Sequence, residues 1–408
     1  MGVRFGEPSR PDQTADGPAG ARRHERWFVP PRLQTVAEEA EPRHASWLEL
    51  FFDLVFVVAI TELSRELVAD HSAGGFLRFA ALFFPVFVAW QGYMAYADRF
   101  DTDDLLFRAA YFAAMLAIAA MAVLIGDVAD GRHSAQFAIA YVCLRSFMLV
   151  LYLRAWRAVP EARPLVRFYG IGYATGAALW LISLALPTPS RYALWVVAQV
   201  LELSLPPLTT RIHRRVRTSA SHLPERWALF TLIVLGESVV AVAVGTAGTH
   251  WRPDSVAAAV LGFIAVAAIW WLYFDRQANV VLHGSTMSVV VYSYAHIPLL
   301  MGLAALSAGL RLVIDRAGQG HLGAGAAAAL LGGAVLYMVA LVGTRSVTLG
   351  GRRRVGVSLK LGAAAILIGI LAAQGALPPL AVAAGLAGVL VAVVFLERTL
   401  IQPSPPAS

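Results

Sequence analysis

The chain has 408 residues, of which 58% are hydrophobic and 14% are charged, and its mean hydropathy is +0.64. These values exclude an ordinary soluble protein of two or three domains and indicate an integral membrane protein. The net charge of +7 could suggest a nucleic-acid partner, but nearly all the basic residues are Arg in loops between apolar segments, which is the pattern that orients membrane helices. We therefore expect a lipid bilayer as partner and no nucleic acid.

Residues 1–45 are rich in Arg, Glu, Pro and Gly and lack the apolar core of a signal peptide, so we expect a disordered cytoplasmic tail. Apolar segments then recur at Trp47–Leu67, Phe76–Tyr96, Leu105–Gly126, Ala135–Leu153, Val166–Leu186, Arg191–Leu208, Glu225–Gly245, Asp254–Phe274, Ser288–Leu310, Leu322–Gly343, Val357–Ala376 and Leu380–Val394. They predict an all-α polytopic helix bundle of about twelve transmembrane helices. Its halves would be residues 46–224 and 225–399, followed by a short cytoplasmic tail, 400–408. Eleven helices stay an alternative, because the sixth segment is short and contains two prolines.

The first segment contains two carboxylates in a run long enough to cross a bilayer. Glu49, Asp53 and Thr61 are spaced by four and eight residues and share one helical face. An ionised Asp at mid-helix costs on the order of 2.5–3.5 kcal/mol on insertion scales, so this face should point into the bundle, towards a partner or a water-filled cavity.

Arginines divide unequally between alternate loops. One set contains fifteen: Arg99, Arg154, Arg157, Arg163, Arg167, Arg211, Arg214, Arg215, Arg217, Arg226, Arg276, Arg345, Arg352, Arg353 and Arg354. The opposite set contains five: Arg132, Arg191, Arg252, Arg311 and Arg316. This division predicts that the first set and both termini are cytoplasmic.

A weak internal repeat relates the first and seventh segments. WLELFFDLVF, residues 47–56, is similar to WALFTLIVLG, residues 227–236. The second and eighth segments both end in aromatic residues followed by an Asp-Arg pair, Asp98–Arg99 and Asp275–Arg276, which could form a gate or a hinge latch. Six plus six helices in the same orientation would form a parallel repeat, as in many transporters. Chance similarity between apolar helices is the alternative.

Buried ionisable residues are the strongest candidates for an ion or substrate site. They are Asp53, with Glu49 on the same face; Glu237, beside Ser238; and Glu202 and His296, near helix prolines. Carboxylates in lipid suit proton or cation coupling, and broken helices beside ionisable groups often line substrate sites. Arg145 is the expected internal counter-charge. The alternatives are acids neutralised by Arg or by hydroxyl groups, and a core histidine bonded to a backbone carbonyl.

Several motifs are absent from the sequence. It contains no G-x-x-x-x-G-K-[ST] phosphate loop, no G-x-S-x-G nucleophile elbow and no H-E-x-x-H zinc motif. The single cysteine, Cys143, excludes a disulfide framework and a metal site built on Cys. We predict no catalytic residue, no metal and no cofactor.

Four motifs together resemble the bacterial low-temperature-requirement A membrane proteins. They are WLELFFDLVFVVAITEL (47–63), LFTLIVLGESVVAVA (229–243), WWLYFD (270–275) and YSYAHIPLLMG (293–302). The resemblance extends from about residue 45 to residue 400. It implies a polytopic inner-membrane protein named for a growth phenotype in the cold, and it brings no biochemical activity.

The first motif also resembles, more distantly, the Phe-Ser-Asp helix of six-helix-repeat potassium channels. FFDLVFVVAIT, residues 51–61, has Phe52 where that pattern has Ser and Leu54 where it has Gly. We interpret the chain as a secondary transporter or permease for an unknown small solute or ion. A cation channel, a membrane-embedded lipid enzyme and a non-catalytic component that supports growth in the cold are the alternatives, and a homo-oligomer stays open.

Overall fold

A computed structural model describes residues 29–33, 45–209, 222–277, 286–347 and 353–400 of the chain. In these residues the helices are α1 (Trp47–Ala69), α2 (Ala73–Arg99), α3 (Leu105–Ala129), α4 (Ser134–Ala158), α5 (Arg163–Ser183), α6 (Ser190–Leu208), α7 (His222–Gly248), α8 (Pro253–Gln277), α9 (Thr286–Asp315), α10 (Ala324–Arg345), α11 (Arg353–Ala372) and α12 (Pro379–Leu400). Short 3-10 turns precede α5 and α12. The all-α prediction is confirmed, and each predicted segment overlaps one helix.

Ten of the helices in the described residues, all except α1 and α6, are long and apolar enough to cross a membrane. The exact number of crossings therefore stays a prediction. Helix α1 is as long as the others, but it contains the charged residues Glu49, Asp53, Glu62, Arg65 and Glu66. Its position in the bundle explains how these charges are accommodated.

Helix α1 lies between the two halves of the bundle. It packs against α2 and α3 of its own half and against α7 and α9 of the other half. Phe52, Phe56 and Leu63 are buried in these contacts, and the Ser64 hydroxyl donates to the Ala304 carbonyl of α9 over 3.1 Å. The face that carries Glu49 and Asp53 consequently points into protein, as the sequence predicts.

Contacts between helices follow the same order in the two halves. In the first half α1 packs against α2 and α3, each helix from α3 to α5 packs against the next one, and α2 contacts α6. In the second half α7 packs against α8 and α9, each helix from α9 to α11 packs against the next one, and α8 contacts α12. This order fits a six-plus-six arrangement, but the repeat itself stays a prediction. Residues aligned in the sequence do not share an environment, since Trp47 is 89% exposed and Trp227 is fully buried.

Helices α9 and α10 approach each other most closely at glycines. A Cβ on Gly333 would lie 2.7 Å from the Gly302 carbonyl oxygen and 2.7 Å from the Leu306 amide nitrogen, so only glycine fits. Small residues allow this approach between membrane helices. In the same region α10 contains a π-helical turn, Ala328–Gly332, before the α-helix resumes.

The chain before α1 touches the bundle at one end. Strand β1 (Arg32–Leu33) pairs antiparallel with strand β2 (Phe100–Asp101), which follows α2. Asp104 accepts hydrogen bonds from the Val29 amide over 2.8 Å and from the Phe107 amide over 3.0 Å, so it also caps α3. The rest of the tail predicted to be disordered, residues 1–28 and 34–44, lies outside the described residues, as do 401–408.

Candidate functional site

Asp53 lies in a buried charged cluster that joins α1 to α7. Arg226 donates from Nη1 to Glu49 Oε2 and from Nη2 to Asp53 Oδ1, each over 2.8 Å. Arg226 was counted among the loop arginines, which is wrong. It lies one turn after the start of α7 at His222, and its side chain is buried. The cluster therefore connects the two halves through an ion pair shielded from solvent.

The two carboxylate oxygens of Asp53 have different surroundings. Oδ1 accepts from Arg226 and also from Trp90 Nε1 over 2.7 Å, whereas Oδ2 is buried with no hydrogen-bond partner among the described residues. The Trp90 ring is itself held in place, because it stacks on Phe230 at 4.0 Å and meets Trp227 edge-on at 4.7 Å. A buried polar atom without a partner is costly, so the hydrogen bonding of Asp53 in the described residues is satisfied at Oδ1 only.

A second buried cluster joins α4 to α6. Glu202 forms an ion pair with Arg145, and its Oε2 also accepts from the Tyr141 hydroxyl over 2.7 Å. The Tyr141 hydroxyl in turn accepts from Arg145 Nη2 over 2.8 Å and from Gln199 Nε2 over 3.0 Å. The Arg145 guanidinium lies between the rings of Tyr141 and Tyr173, at 5.0 and 4.9 Å. The structure thus assigns the predicted counter-charge to Glu202.

Glu202 also borders a cavity between the two halves. Its Oε1 is buried without a hydrogen-bond partner in the described residues. The cavity has a volume of about 50 Å³ and is lined by α2, α5 and α6 of the first half and by Leu223, Val289, Val290 and Ser293 of the second. Asp98 and Arg99 line it as well, so these two groups and Glu202 face the same space.

Helix α2 lies between the two clusters. Trp90 bonds to Asp53, while two residues later Gly92 faces Arg145. A Cβ on Gly92 would lie 3.0 Å from Arg145 Nη1 and 3.3 Å from the Tyr173 hydroxyl. The absence of a side chain at Gly92 therefore lets the second cluster pack directly against α2.

Glu237 lies apart from Asp53, so the structure does not bring together the two acids that sequence reasoning paired. Its Oε2 accepts from the Thr61 hydroxyl over 2.6 Å, two helical turns along α1 from Asp53. Glu237 and Thr61 line a cavity of about 50 Å³ that Arg65 and Arg311 also border. Ser238, the next residue, is buried and hydrogen-bonds to Ser307 over 2.7 Å.

His296 has the environment of a core histidine. It is fully buried, its Nδ1 donates to the Tyr292 carbonyl over 2.8 Å, and its Nε2 accepts from the Tyr273 hydroxyl over 2.9 Å. Its ring stacks on Trp227 at 4.5 Å. The geometry suits the neutral imidazole and corresponds to the alternative of a histidine bonded to a backbone carbonyl. Through Trp227 it supports the Asp53 cluster.

The two Asp-Arg pairs have different environments. Asp98 and Arg99 are buried, and the Arg99 guanidinium lies 5.3 Å from the centre of the Tyr169 ring. Asp275 is exposed, and its Oδ1 lies 3.8 Å from Nη2 of Arg398. The side chain of Arg276 lies outside the described residues. The two pairs therefore do not share an environment, and a gating role stays a prediction for both.

Sequence reasoning missed one further buried ion pair. Lys360 of α11 is buried against Glu397 of α12, whose Oε1 also lies 3.5 Å from Arg345 Nη1. A lysine inside an apolar run is a signal that could have been found. The described residues contain no group of three or more His, Cys, Asp or Glu side chains that could hold a metal ion.

Comparisons with known proteins identify a family that covers most of the chain. The family model described as Bacterial low temperature requirement A protein (LtrA) matches residues 44–395. An uncharacterized protein of Rhizobium meliloti (strain 1021) is 28% identical over 293 residues, which cover 67% of this chain and 70% of that protein. The residues matched by the family model include the clusters around Asp53 and Glu202.

Proposed function

The chain belongs to the bacterial low temperature requirement A family, and for this member we propose a secondary transporter or permease in which Asp53 binds and releases a proton or a small cation. One observation carries the proposal. Asp53 is buried between the two halves, with one carboxylate oxygen paired to Arg226 and the other without a hydrogen-bond partner in the described residues. Intramembrane carboxylates of this kind commonly mark ion pathways and proton relays.

Binding at Asp53 would change the contact between the two halves. Arg226 bridges Glu49 and Asp53, which lie one helical turn apart on α1. A proton or cation on Asp53 weakens its attraction for Arg226, and the arginine is then held mainly by Glu49. Two arrangements of one arginine between two acids form the kind of two-state element that a bound ion can shift.

The Glu202 cavity supplies a route towards this region. It extends along α2 from Asp98 and Arg99 to Glu202, and it is lined by helices from both halves. Substrate sites of transporters with internal repeats lie at the interface of the repeats, close to irregular helices. Here Pro206, which lines the cavity, and Pro207 lie in the last turn of α6, just after Glu202. We assign the substrate path to this side of α2.

Glu237 would serve the opposite end of the path. With Thr61, Arg65 and Arg311 it lines a second small cavity, displaced along α1 from Asp53. The three acids Glu237, Asp53 and Glu202 thus occupy different places in the bundle rather than one shared site. In this proposal Asp53 is the coupling residue, and the other two border the approaches to it.

The channel alternative finds less support at its key position. Phe52, where the channel pattern has Ser, is buried, with ring centroids 5.0 Å from Tyr93 and 4.9 Å from Tyr111. An aromatic cluster at this point packs α1 against α2 and α3. This environment favours a sealed bundle with local binding sites.

Infrared difference spectroscopy tests the coupling role without knowledge of the substrate. Acidifying the reconstituted wild type should produce the carbonyl band of a protonated carboxyl group, and Asp53→Asn should lose that band because Asn cannot take up a proton. Glu202→Gln is the matched control, since it removes the other buried acid of the first half that is paired with an arginine. A band that survives Asp53→Asn and disappears in Glu202→Gln would move the coupling role to Glu202.

Flux in liposomes then separates coupling from a structural role. Equal amounts of wild type, Asp53→Asn and Asp53→Glu, matched by thermal melt, are compared for proton and potassium flux under imposed gradients. We expect Asp53→Asn to abolish the pH-dependent flux and Asp53→Glu to retain part of it. Equal flux in wild type and Asp53→Asn would contradict the proposal.

A further inference from the structure

One cavity in this bundle is not used by the proposed function. It has a volume of about 440 Å³ and lies between α2, α3, α5 and α6, with mostly apolar walls. This volume falls within the range of roughly 300–1,000 Å³ that is usual for small-molecule sites with apolar walls and a few polar groups. It lies at the end of the bundle away from Asp98 and Arg99, beside the start of α2 and the end of α3.

The cavity opens sideways, towards the surface that faces lipid. Three of its lining side chains are strongly exposed on that surface: Leu77 at 73%, Val196 at 57% and Val200 at 62%. These residues belong to α2 and α6, so the mouth lies between two neighbouring helices. A molecule can therefore enter from the bilayer without crossing the ends of the helices.

Three polar atoms on the lining side chains are buried and have no hydrogen-bond partner in the described part of the chain. They are Gln199 Oε1, Trp180 Nε1 and the Tyr192 hydroxyl. The Gln199 orientation follows from its neighbour: the Tyr141 hydroxyl donates to Glu202 and can only accept from Gln199, so the amide nitrogen points to Tyr141. All three atoms are covered by neighbouring protein atoms, so the surface that a ligand meets in the cavity is mostly apolar.

We propose that this cavity binds one acyl chain of an anionic phospholipid. The chain fills the apolar volume. The phosphate lies by Arg78, which lines the cavity, is partly exposed and already forms an ion pair with Asp70. Arg78 has further donors, and guanidinium binds phosphate well.

The bound lipid would touch the charged network of the first half. Gln199 lines the cavity and donates to Tyr141, which contacts both Arg145 and Glu202. Occupancy of the cavity therefore supports the Glu202 cluster through Gln199. The lipid site does not depend on the transport proposal, because it rests on the cavity and its lining alone.

Photo-crosslinking with a defined lipid tests the site. The probe is phosphatidylglycerol with a diazirine on one acyl chain, added to the full-length protein in nanodiscs, and the labelled peptides are mapped by mass spectrometry. We expect labelling concentrated on α2 and α6 around the cavity. Val200→Trp should fill the mouth and reduce this labelling at least tenfold. The same substitution at Val197, a residue outside the cavity that is 54% exposed on the lipid-facing surface, should leave the labelling unchanged.

A further arm tests the charged contact. Arg78→Gln should abolish the advantage of phosphatidylglycerol over diacylglycerol as a competitor. Equal labelling in wild type, Val200→Trp and Val197→Trp would overturn the site. Loss of labelling in Val200→Trp with no effect of Arg78→Gln would overturn the assigned head group. Thermal melts establish that each variant is folded.

Discussion

Asp53 and Glu202 are each held by one arginine through a single carboxylate oxygen. Asp53 uses Oδ1 for Arg226, and Glu202 uses Oε2 for Arg145, while the second oxygen of each acid has no hydrogen-bond partner in the described residues. A buried ion pair is weak evidence for net stability, but removing one partner leaves a charge in an apolar interior. Single and double substitutions can therefore distinguish these pairs from surface salt bridges.

The Arg145–Glu202 pair gives the sharpest such test. Arg145→Leu should lower the free energy of unfolding by about 3–5 kcal/mol, because Glu202 would stay buried without its counter-charge. The double variant Arg145→Leu/Glu202→Leu should recover most of that loss, since no buried charge remains. Denaturant unfolding in detergent measures both.

Arg132→Gln serves as the control for that experiment. Its ion pair with Asp127 is solvent-exposed, so its loss should leave the unfolding curve unchanged. A double variant no more stable than Arg145→Leu would show that packing around Tyr141, rather than the charge, is what the arginine supplies.

Asp104 provides a pH test outside the membrane-spanning segments. Burial raises its pKa, but the hydrogen bonds from Arg154 and from the Phe107 and Val29 amides, with the Arg154 charge, outweigh burial and lower the pKa below its usual value. Because the folded-state pKa is depressed, this stabilisation is complete above the unfolded pKa of about 3.9 and is lost as the pH falls through the folded value.

Asp104→Asn isolates that contribution. At neutral pH the variant should melt below wild type, because Asn cannot pair with Arg154 as an anion, although it can still cap α3. As the pH is lowered past the folded pKa, the two melting temperatures should converge. A constant difference between the two proteins at every pH would contradict a role for the Asp104 charge.

At the scale of elements, the sequence predicted most of what apolar length determines. Twelve segments were predicted and twelve helices are described, because runs of about twenty apolar residues have few alternatives in lipid. The seventh segment was predicted from Glu225 and α7 begins at His222, so Arg226 lies near the helix start, although it was counted among the loop arginines because an Arg-rich stretch precedes it. The π-helical turn in α10 depends on packing against α9, which local sequence does not reveal.

The candidate site was predictable only in part, for a related reason. Acids inside apolar helices are visible in the sequence, so Asp53, Glu202 and the counter-charge Arg145 could be named. Their partners come from distant helices: Trp90 is 37 residues from Asp53, and Arg226 is 173 residues from it. The pairing of Asp53 with Glu237 rested on acids in two similar helices. It fails because Asp53 meets α7 at Arg226, whereas Glu237 meets α1 two turns further along, at Thr61.

Neighbouring glycines of α10 give a matched test of helix packing. Gly333→Ala should destabilise the protein by about 1–3 kcal/mol, because the added methyl group would overlap the backbone of α9. Gly332→Ala meets open space and should be neutral or up to about 1 kcal/mol more stable through helix propensity. Thermal melts in one detergent compare them, and similar melting temperatures for the two variants would contradict close α9–α10 packing.

At the scale of the whole molecule, the charge division needs adjustment but keeps its sign. Arg99 and Arg226 are buried, so they leave the loop set. Arg108 and Arg398 lie near helix ends on the side of that set, and Arg65 and Arg78 lie near helix ends on the opposite side. Fifteen arginines then face seven. Of the fifteen, Arg211, Arg214, Arg215, Arg217 and Arg352 lie outside the described residues, so their side of the membrane follows from the helix ends on either side.

Both ends of the described chain lie at the arginine-rich end of the bundle. Strand β1 lies beside Asp104 and Arg154, and the last turn of α12 places Arg398 over the Trp271 ring at 4.1 Å, close to the end of α8. Because an even number of helices separates the two ends and the arginine-rich side is retained in the cytoplasm, we predict that both termini are cytoplasmic. Alkaline phosphatase, which is active only outside the cytoplasm, should stay inactive when fused after Ser408.

A second fusion makes that result interpretable. Alkaline phosphatase inserted after Thr249, in the short turn between α7 and α8, should be active, since this turn lies at the opposite end of the bundle. Neutralising Arg163 and Arg167 should weaken the orientation signal without touching the buried clusters, because both side chains are exposed at the start of α5. An active fusion after Ser408 together with an inactive one after Thr249 would reverse the topology and would place the Asp98–Glu202 cavity at the periplasmic side, with the proposed lipid site in the inner leaflet.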